Sequence, residues 1–332
     1  MKEILNDLFE YKSLDKPRAK EILKNLAQGL YNNSQVASFL TVYLMRSITV
    51  DELEGFREAM MELCVPADLG EFDPIDLCGT GGDGKDTFNI STLAAFVVAG
   101  AGVKVAKHGN NSVSSVCGSS NVLNYYGCSF TNDSGKLKKS IEGSGIAYLH
   151  APLFHPAMKN VAPIRKELGV KTFFNILGPI VNPASVKKQI TGVFSLDLAR
   201  LYGYLFQRTG SEFIVIHSLD GYDEVSLTGP VKLISNEAEM VMHVNELGFK
   251  TVTPQSLKGG SSVEESSRLF LNILEGNGTR EQKDVVVVNA GFALHCANKK
   301  FPFHEAVLAA KESLESGKAL DTFRKFIELN KN

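Results

Sequence analysis

Residues 75–111 constrain the fold more than any other stretch of this 332-residue chain. A short strand candidate, Ile75–Cys78, runs straight into a glycine-rich turn, Gly79-Thr80-Gly81-Gly82-Asp83-Gly84. A hydroxyl- and amide-rich stretch, Thr87 to Thr92, leads into a small-residue helix over Leu93–Ala101. A second strand, Val103–Ala106, then ends in Lys107-His108-Gly109-Asn110. Strand, crossover helix and strand make a βαβ unit, which commits this region to parallel pairing. Open α/β sheets bind ligands beyond the carboxyl ends of such strands. Glycines there let backbone N–H groups approach a phosphate, and the dipole of the following helix adds to the attraction. The turn has neither the Lys-Ser/Thr ending of a P-loop nor the GxGxxG spacing of a dinucleotide site, so it points to another kind of polyphosphorylated ligand. A plain strand-to-helix turn is the alternative. It is weakened by Asp83, Thr87, Asn89, Ser91, Thr92 and Lys107 gathering at the same strand ends.

The rest of the chain divides into two patterns. The first seventy residues are helical in periodicity. Leu5, Leu8 and Phe9 form a first apolar stripe, and Ile22, Leu23, Leu26 and Leu30 a second. Ser34 is positioned to cap a third helix carrying Val36, Phe39, Leu40, Tyr43 and Leu44. Thr49 and Glu52 form a capping box ahead of Leu53, Phe56, Met60 and Leu63, and Pro66 ends that helix. After Phe72 short β-branched runs alternate with helical stretches. Further strand candidates are Ala147–Leu149, Phe213–His217 and Val285–Asn289, apolar on both faces as buried parallel strands are. The expected class is α/β, a mainly parallel sheet flanked by helices, with a smaller all-helical N-terminal domain. The expected division is a helical domain over residues 1–70 and an α/β domain over 71–332. Residues 163–183, with a glycine and two prolines, read as a return to the helical domain and a hinge. Ser261/Glu264 and Ser262/Glu265 offer overlapping capping boxes for a late helix.

A net charge of −2 gives no global field toward nucleic acid or anionic membrane. The five cysteines form no CxxC pair and read as thiols in a reducing cytoplasm. Met1–Lys12 is charged and amphipathic rather than a signal peptide, and the longest apolar run, Leu93–Val103, is too short to span a bilayer. A cytoplasmic protein with neither a membrane nor a nucleic-acid partner is expected.

Several segments together bring a family into view. GTGGD (79–83), TFNIST (87–92), KHGN (107–110), HPAMK (155–159) with PIR (163–165), FNILGP and NP within 174–183, and DEVS (223–226) occur in one order. This set closely resembles the anthranilate phosphoribosyltransferases, whose fold is shared with the pyrimidine nucleoside phosphorylases. The resemblance covers nearly the whole chain, the helical N-terminus included. It implies transfer of phosphoribose from phosphoribosyl pyrophosphate to the amine of anthranilate, in tryptophan biosynthesis, by a Mg²⁺-dependent homodimer. Phosphorolysis of a pyrimidine nucleoside, or a non-catalytic metabolite-binding relative, are the alternatives.

The resemblance implies a role for each motif. Gly79, Thr80, Gly81, Gly82, Asp83, Thr87, Asn89, Ile90, Ser91 and Thr92 would surround the donor. So would Lys107, His108, Gly109, Asn110, Asn111, Ser112, Val113, Ser114, Ser115 and Ser119. Lysine suits phosphate as a point charge. Asp223 and Glu224, with Ser91, would hold two Mg²⁺ ions, because magnesium takes a few carboxylates and completes its shell with water and phosphate oxygens. Arg165 would grip the anthranilate carboxylate, since a guanidinium pairs bidentately with a planar carboxylate. Gly79, Asn110 and Gly178 would approach the acceptor, with His108 and His155 as walls. No residue stands out as a general acid or base, because an aryl amine is already nucleophilic at neutral pH. The chain departs from the family pattern at Asn111, where arginine is usual, at Ser120-Asn121, where Ala-Asp is usual, and at Glu264-Glu265-Ser266 near the tail.

Overall fold

The computed structural model describes residues 1–112 and 116–331. Val113, Ser114 and Ser115, read above as donor-binding, lie outside the described residues. The chain opens with helices α1 (Lys2–Phe9), α2 (Lys16–Ala27), α3 (Asn33–Met45) and α4 (Val50–Leu63). Thr49 and Glu52 cap α4 as the sequence suggests. The cap of α3 is Asn32, not Ser34; its side chain accepts from the Gln35 N–H, and Gln35 returns the bond. An asparagine two residues earlier satisfies the orphan donors equally well, so the two caps cannot be told apart by composition. Glu52 does more than cap. It is wholly buried and accepts from the Leu14 N–H (3.0 Å) and the Tyr43 hydroxyl (3.1 Å) while pairing with Arg46. That one carboxylate ties the turn between α1 and α2 to the end of α3 and the turn that follows it.

A seven-stranded sheet follows: β1 (Ile75–Leu77), β2 (Val105–Gly109), β3 (Ile146–His150), β4 (Lys188–Gly192), β5 (Glu212–Ser218), β6 (Val231–Ser235) and β7 (Glu239–Met242). Its order is β3-β2-β1-β4-β5-β6-β7, parallel from β3 to β5 and antiparallel at β6 and β7. Around the sheet run α5 (Ile90–Gly100), α6 (Ser119–Tyr125), α7 (Ser134–Ser144), α8 (Ala151–Phe154), α9 (Ala162–Leu168) and α10 (Leu196–Thr209). The tail adds α11 (Val263–Leu274), α12 (Arg280–Ala297), α13 (Phe303–Glu315) and α14 (Lys318–Leu329). Because β1 sits between β2 and β4, the chain winds away from it in both directions. The crevice at the carboxyl end of β1 is therefore the switch point at which such sheets bind ligands.

Two large cores result. One packs α5 and α11–α14 on one face of the sheet. The other joins α1–α4 to α10 and the opposite face. Val161, Ile164, Phe173, Phe174, Leu177 and Ile180 pack into this second core, with Phe56 stacked on Phe173 at 4.6 Å.

Three corrections to the strand reading follow. Val285–Asn289 is not a strand but the middle of α12, opened by a Thr279/Gln282 capping box. Its four valines are buried because that helix is enclosed by its neighbours, and a short β-branched run looks alike in a buried strand and a buried helix. The second strand runs over Val105–Gly109, two residues later than read, because Gly102 closes the preceding helix. Strands β4, β6 and β7 carry polar residues and were not read from the sequence.

Candidate active site

Beyond the carboxyl ends of β1 and β2 lies a cleft of about 390 Å³. The glycine loop forms its floor. Gly81 has φ +62°, and its N–H donates to Asp223 Oδ2 at 2.7 Å. On the other side of Asp223, a Cβ on Gly192 at the end of β4 would fall 1.4 Å from the Asp223 carbonyl oxygen. Only glycine admits the loop that close. Glu224 Oε1 accepts from the Ser91 N–H at 2.9 Å, which seats it at the first turn of α5. Asn289 of α12 holds the next residue, accepting from the Val225 N–H (3.0 Å) and donating to its carbonyl (2.9 Å).

These contacts fix the acidic pair where ionisation is costly. Burial, with the nearby Asp83 charge, pushes the Asp223 carboxyl up to about 7. Burial, with Asp223 and Asp83, holds Glu224 well above the usual carboxylate range. Like charges crowded in low dielectric are relieved by a cation, and an all-oxygen set suits a hard one such as Mg²⁺. Among the described residues no three His, Cys, Asp or Glu side chains close on a metal by themselves. The pair could supply part of a coordination shell, with water and ligand oxygens supplying the rest.

The donor-side polar groups line the same cleft. Lys107 is 2% exposed; its ammonium donates to the Leu77 carbonyl and lies 3.4 Å from Ser91 Oγ, beneath the glycine loop. Asn89 donates to the Cys117 carbonyl at 3.0 Å. Ser119, the first residue of α6, lies 2.7 Å from the Tyr148 hydroxyl. Thr80, Gly82, Thr87, Thr92, Gly109, Asn110, Asn111 and Ser112 also border the cavity. Ile90 does not: it is 1% exposed, and its side chain belongs to the core under the loop.

Arg165 of α9 lines the same cleft. Its Nη2 donates to Asn175 Oδ1 at 3.2 Å, its Cζ lies 5.3 Å from the Phe174 ring, and its Nε is buried without a partner among the described residues. Burial lowers its pKa, so the guanidinium is a charge in want of an anion. His108 borders the cleft with Nδ1 2.9 Å from the Gly178 carbonyl, and burial with His155 beside it drives its pKa down to about 3. His155 is displaced from its expected place. It packs behind His108, with ring centroids 5.3 Å apart, and is no part of the cleft lining.

One cleft is thus lined by a glycine loop, an acidic pair and an arginine. Residues 71–320 match the glycosyl transferase family a/b domain, and residues 2–64 its helical bundle domain. An anthranilate phosphoribosyltransferase of Christiangramia forsetii is 55% identical over 100% of both chains. The chain belongs to the anthranilate phosphoribosyltransferase family. A Flavobacterium psychrophilum member is 56% identical over 99% of this chain and 100% of its own. Two solved members share the fold. The Thermus thermophilus enzyme matches with TM-score 0.91 and 33% identity over 98% of each chain. The Saccharomyces cerevisiae enzyme in complex with PRPP and Mg matches with TM-score 0.88 and 26% identity over 98% of this chain and 96% of that one.

Some cleft residues carried no role in the sequence reading. Phe174 and Asn175 lie inside the family's FNILGP motif, which was the available signal. Lys171 and Phe194 gave none. Lys171 donates to the Gly82 carbonyl, and its ammonium lies 5.7 Å from the Phe194 ring, so it latches the glycine loop to the segment after α9. Of the family departures, Asn121 Oδ1 accepts from both Ser112 N–H (3.1 Å) and Gly118 N–H (3.0 Å), and Ser120 bridges Tyr148 and His150.

Proposed function

We propose that this chain transfers the phosphoribosyl group of phosphoribosyl pyrophosphate to the amine of anthranilate, releasing pyrophosphate, in tryptophan biosynthesis. The observation that carries the reading is the seating of Asp223 on the Gly81 N–H in a cleft that Arg165 also lines. A polyanionic donor and an anionic aromatic acceptor call for both. Nucleoside phosphorolysis is set aside because the full-length relatives bear the transferase name.

The glycine loop and the Asn89–Thr92 turn present N–H and hydroxyl groups to the pyrophosphate and ribose. Lys107 supplies a fixed positive charge beneath them. Asp223 and Glu224, with Ser91 beside them, hold Mg²⁺, two ions in the fullest form of this reading. Bound there, Mg²⁺ neutralises charge that gathers on the leaving group. Arg165 holds the acceptor carboxylate, and Asn110 and Gly79 flank its amine. The C1–O bond to pyrophosphate breaks as C1 gains positive character, the amine nitrogen bonds to C1 from the opposite face, and its proton leaves to water or pyrophosphate. Positioning and electrostatics carry the rate.

The functional unit in this reading is a cytoplasmic homodimer with a helical body over residues 1–70, joined by the returning segment 163–183, and an α/β body over 71–332. Phe9, at the end of α1, Tyr11 just past it and Met45 of α3 leave apolar surface uncovered around a hollow of about 490 Å³. Such a patch marks an interaction surface. No helix among the described residues is long and apolar enough to cross a membrane. Pyrophosphate release that requires both substrates tests the reaction; release without anthranilate would mean donor hydrolysis instead.

A further inference from the structure

Residues 176–181 form a stretch in which almost every carbonyl is taken by a side chain from a different element. The Tyr202 hydroxyl on α10 donates to the Ile176 carbonyl, and the Gln189 amide on β4 to that of Pro179. His108 Nδ1 on β2 lies 2.9 Å from the Gly178 carbonyl. Arg57 Nε on α4 donates to the Ile180 carbonyl at 2.9 Å. His155 Nε2, just past α8, lies 3.0 Å from the Val181 carbonyl. One residue on, the Asn182 amide bridges the buried Asp76 carboxylate (2.8 Å) and the Ala106 carbonyl (2.9 Å). Connecting segments ordinarily leave such carbonyls to water or to their own turn. Here donors from α4, α10, two strands and the loop after α8 converge on six residues. The hinge expected over 163–183 therefore does not extend into this part.

We infer that residues 176–182 are a rigid strut for the acceptor wall, and that Arg57 and Gln189, which line no part of the cleft, are its positioning residues. The wall is the part of the strut that borders the cavity, Ile176, Gly178 and Pro179. Both residues belong to the scaffold. Gln189 is 5% exposed on a central strand, and Arg57 reaches across from the helical body. The strut also fixes its histidines. A carbonyl oxygen only accepts, so His108 carries its proton on Nδ1 and His155 on Nε2. Two rings 5.3 Å apart thus hold opposite tautomers, and their remaining nitrogens have no partner among the described residues.

This inference rests on the acceptor placement proposed above, and its test separates the two. In the full-length protein at neutral pH, nitrogen-15 spectra are expected to show His108 as the Nδ1–H and His155 as the Nε2–H tautomer. A shared tautomer, or averaging between them, overturns the strut. In steady-state kinetics Gln189→Met and Arg57→Met are expected to raise the anthranilate KM about tenfold, as small misplacements of a bound reactant do. The donor KM should stay within about twofold, and Arg57→Lys, which keeps an N–H donor, should restore much of the loss. Equal rises in both KM values, or no rise in either, overturn the positioning role. If a variant fails to fold, Arg57→Lys and the spectra of the native protein still decide. Failure of the wild-type chain to form product counts against the function alone, and the histidine spectra then judge the strut.

Discussion

Asp223 and Glu224 are sequence neighbours whose carboxylates are held by different donors, Gly81 and Ser91, and both line the cleft. Replacing them together by Asn and Gln keeps the shape and discards the charge. Turnover is expected to fall by orders of magnitude and the Mg²⁺ dependence to weaken, with the melting temperature nearly unchanged. Titrating activity against Mg²⁺ checks this, and a variant as active and as Mg²⁺-dependent as wild type contradicts it. Arg165 lines the same cleft. Arg165→Ala should raise the acceptor KM by about 10–100-fold, the worth of a charge-assisted hydrogen bond of about 1.5–3 kcal/mol, and leave the donor KM nearly alone. Initial rates with each substrate varied in turn decide this. His155 gives a pH prediction. Burial lowers its pKa from 6.5 to about 4 in the folded chain. Between these values the unfolded chain takes up a proton that the folded chain refuses, so stability falls as pH drops through that window. Asp76, raised by burial to about 6, works in the opposite direction, as do Asp223 and Glu224, raised likewise. His108, lowered to about 3, adds to the His155 effect. His155→Gln keeps an amide for Val181 but does not titrate. Its stability relative to wild type, followed by urea unfolding from pH 7 to 4.5, should rise by on the order of 2–3 kcal/mol as pH falls.

Helix α12 shows why elements were legible to different degrees. Its VVVVN run has β-branched residues and no polar face, and only the Thr279/Gln282 cap, several residues upstream, marks it as a helix. The misreading concealed a functional link, because Asn289 in that run is the side chain that holds Val225 beside the acidic pair. Asn289→Leu leaves a buried N–H and carbonyl unpaired and should cost about 1–3 kcal/mol of stability along with much of the Mg²⁺-dependent rate. Thermal melts and rates on the same samples test it, and loss of stability with intact rate would mean the acidic loop holds itself. By contrast the βα turn after β1 was readable because all its chemistry is local: glycines, hydroxyls and Lys107 fall within thirty residues. The Lys171–Gly82 latch and the donors to residues 176–181 were not. Lys171 and Gly82 are 89 positions apart, and Arg57 and Ile180 are 123 apart. No local pattern marks a side chain that will meet a distant carbonyl. Strands β6 and β7 were missed for a different reason. They are the antiparallel side of a mixed sheet, and β7 is largely exposed, so neither shows the apolar run of a buried parallel strand.

At the scale of the molecule, the helical stripes read from the sequence are only partly spent on the core. Phe9 stays 58% and Leu44 46% exposed, although both lie on stripes that otherwise turn inward, and Met45 next to Leu44 is 78% exposed. The proposed dimer uses this remainder. Met45→Glu should shift sedimentation toward a monomer with its fold intact, and an unchanged dimer would place the interface elsewhere. The returning segment packs into the helical core, and the cleft opens beside it. In the proposed reading the fold holds a site for a polyanion and a site for an aromatic acid in that cleft. The most direct test is the fluorescence of anthranilate in a mixture of the full-length protein, phosphoribosyl pyrophosphate and Mg²⁺. The signal should decay to completion as one pyrophosphate appears per anthranilate lost, and should persist when donor or Mg²⁺ is withheld. Undiminished anthranilate fluorescence with a folded protein and both substrates present would contradict the account.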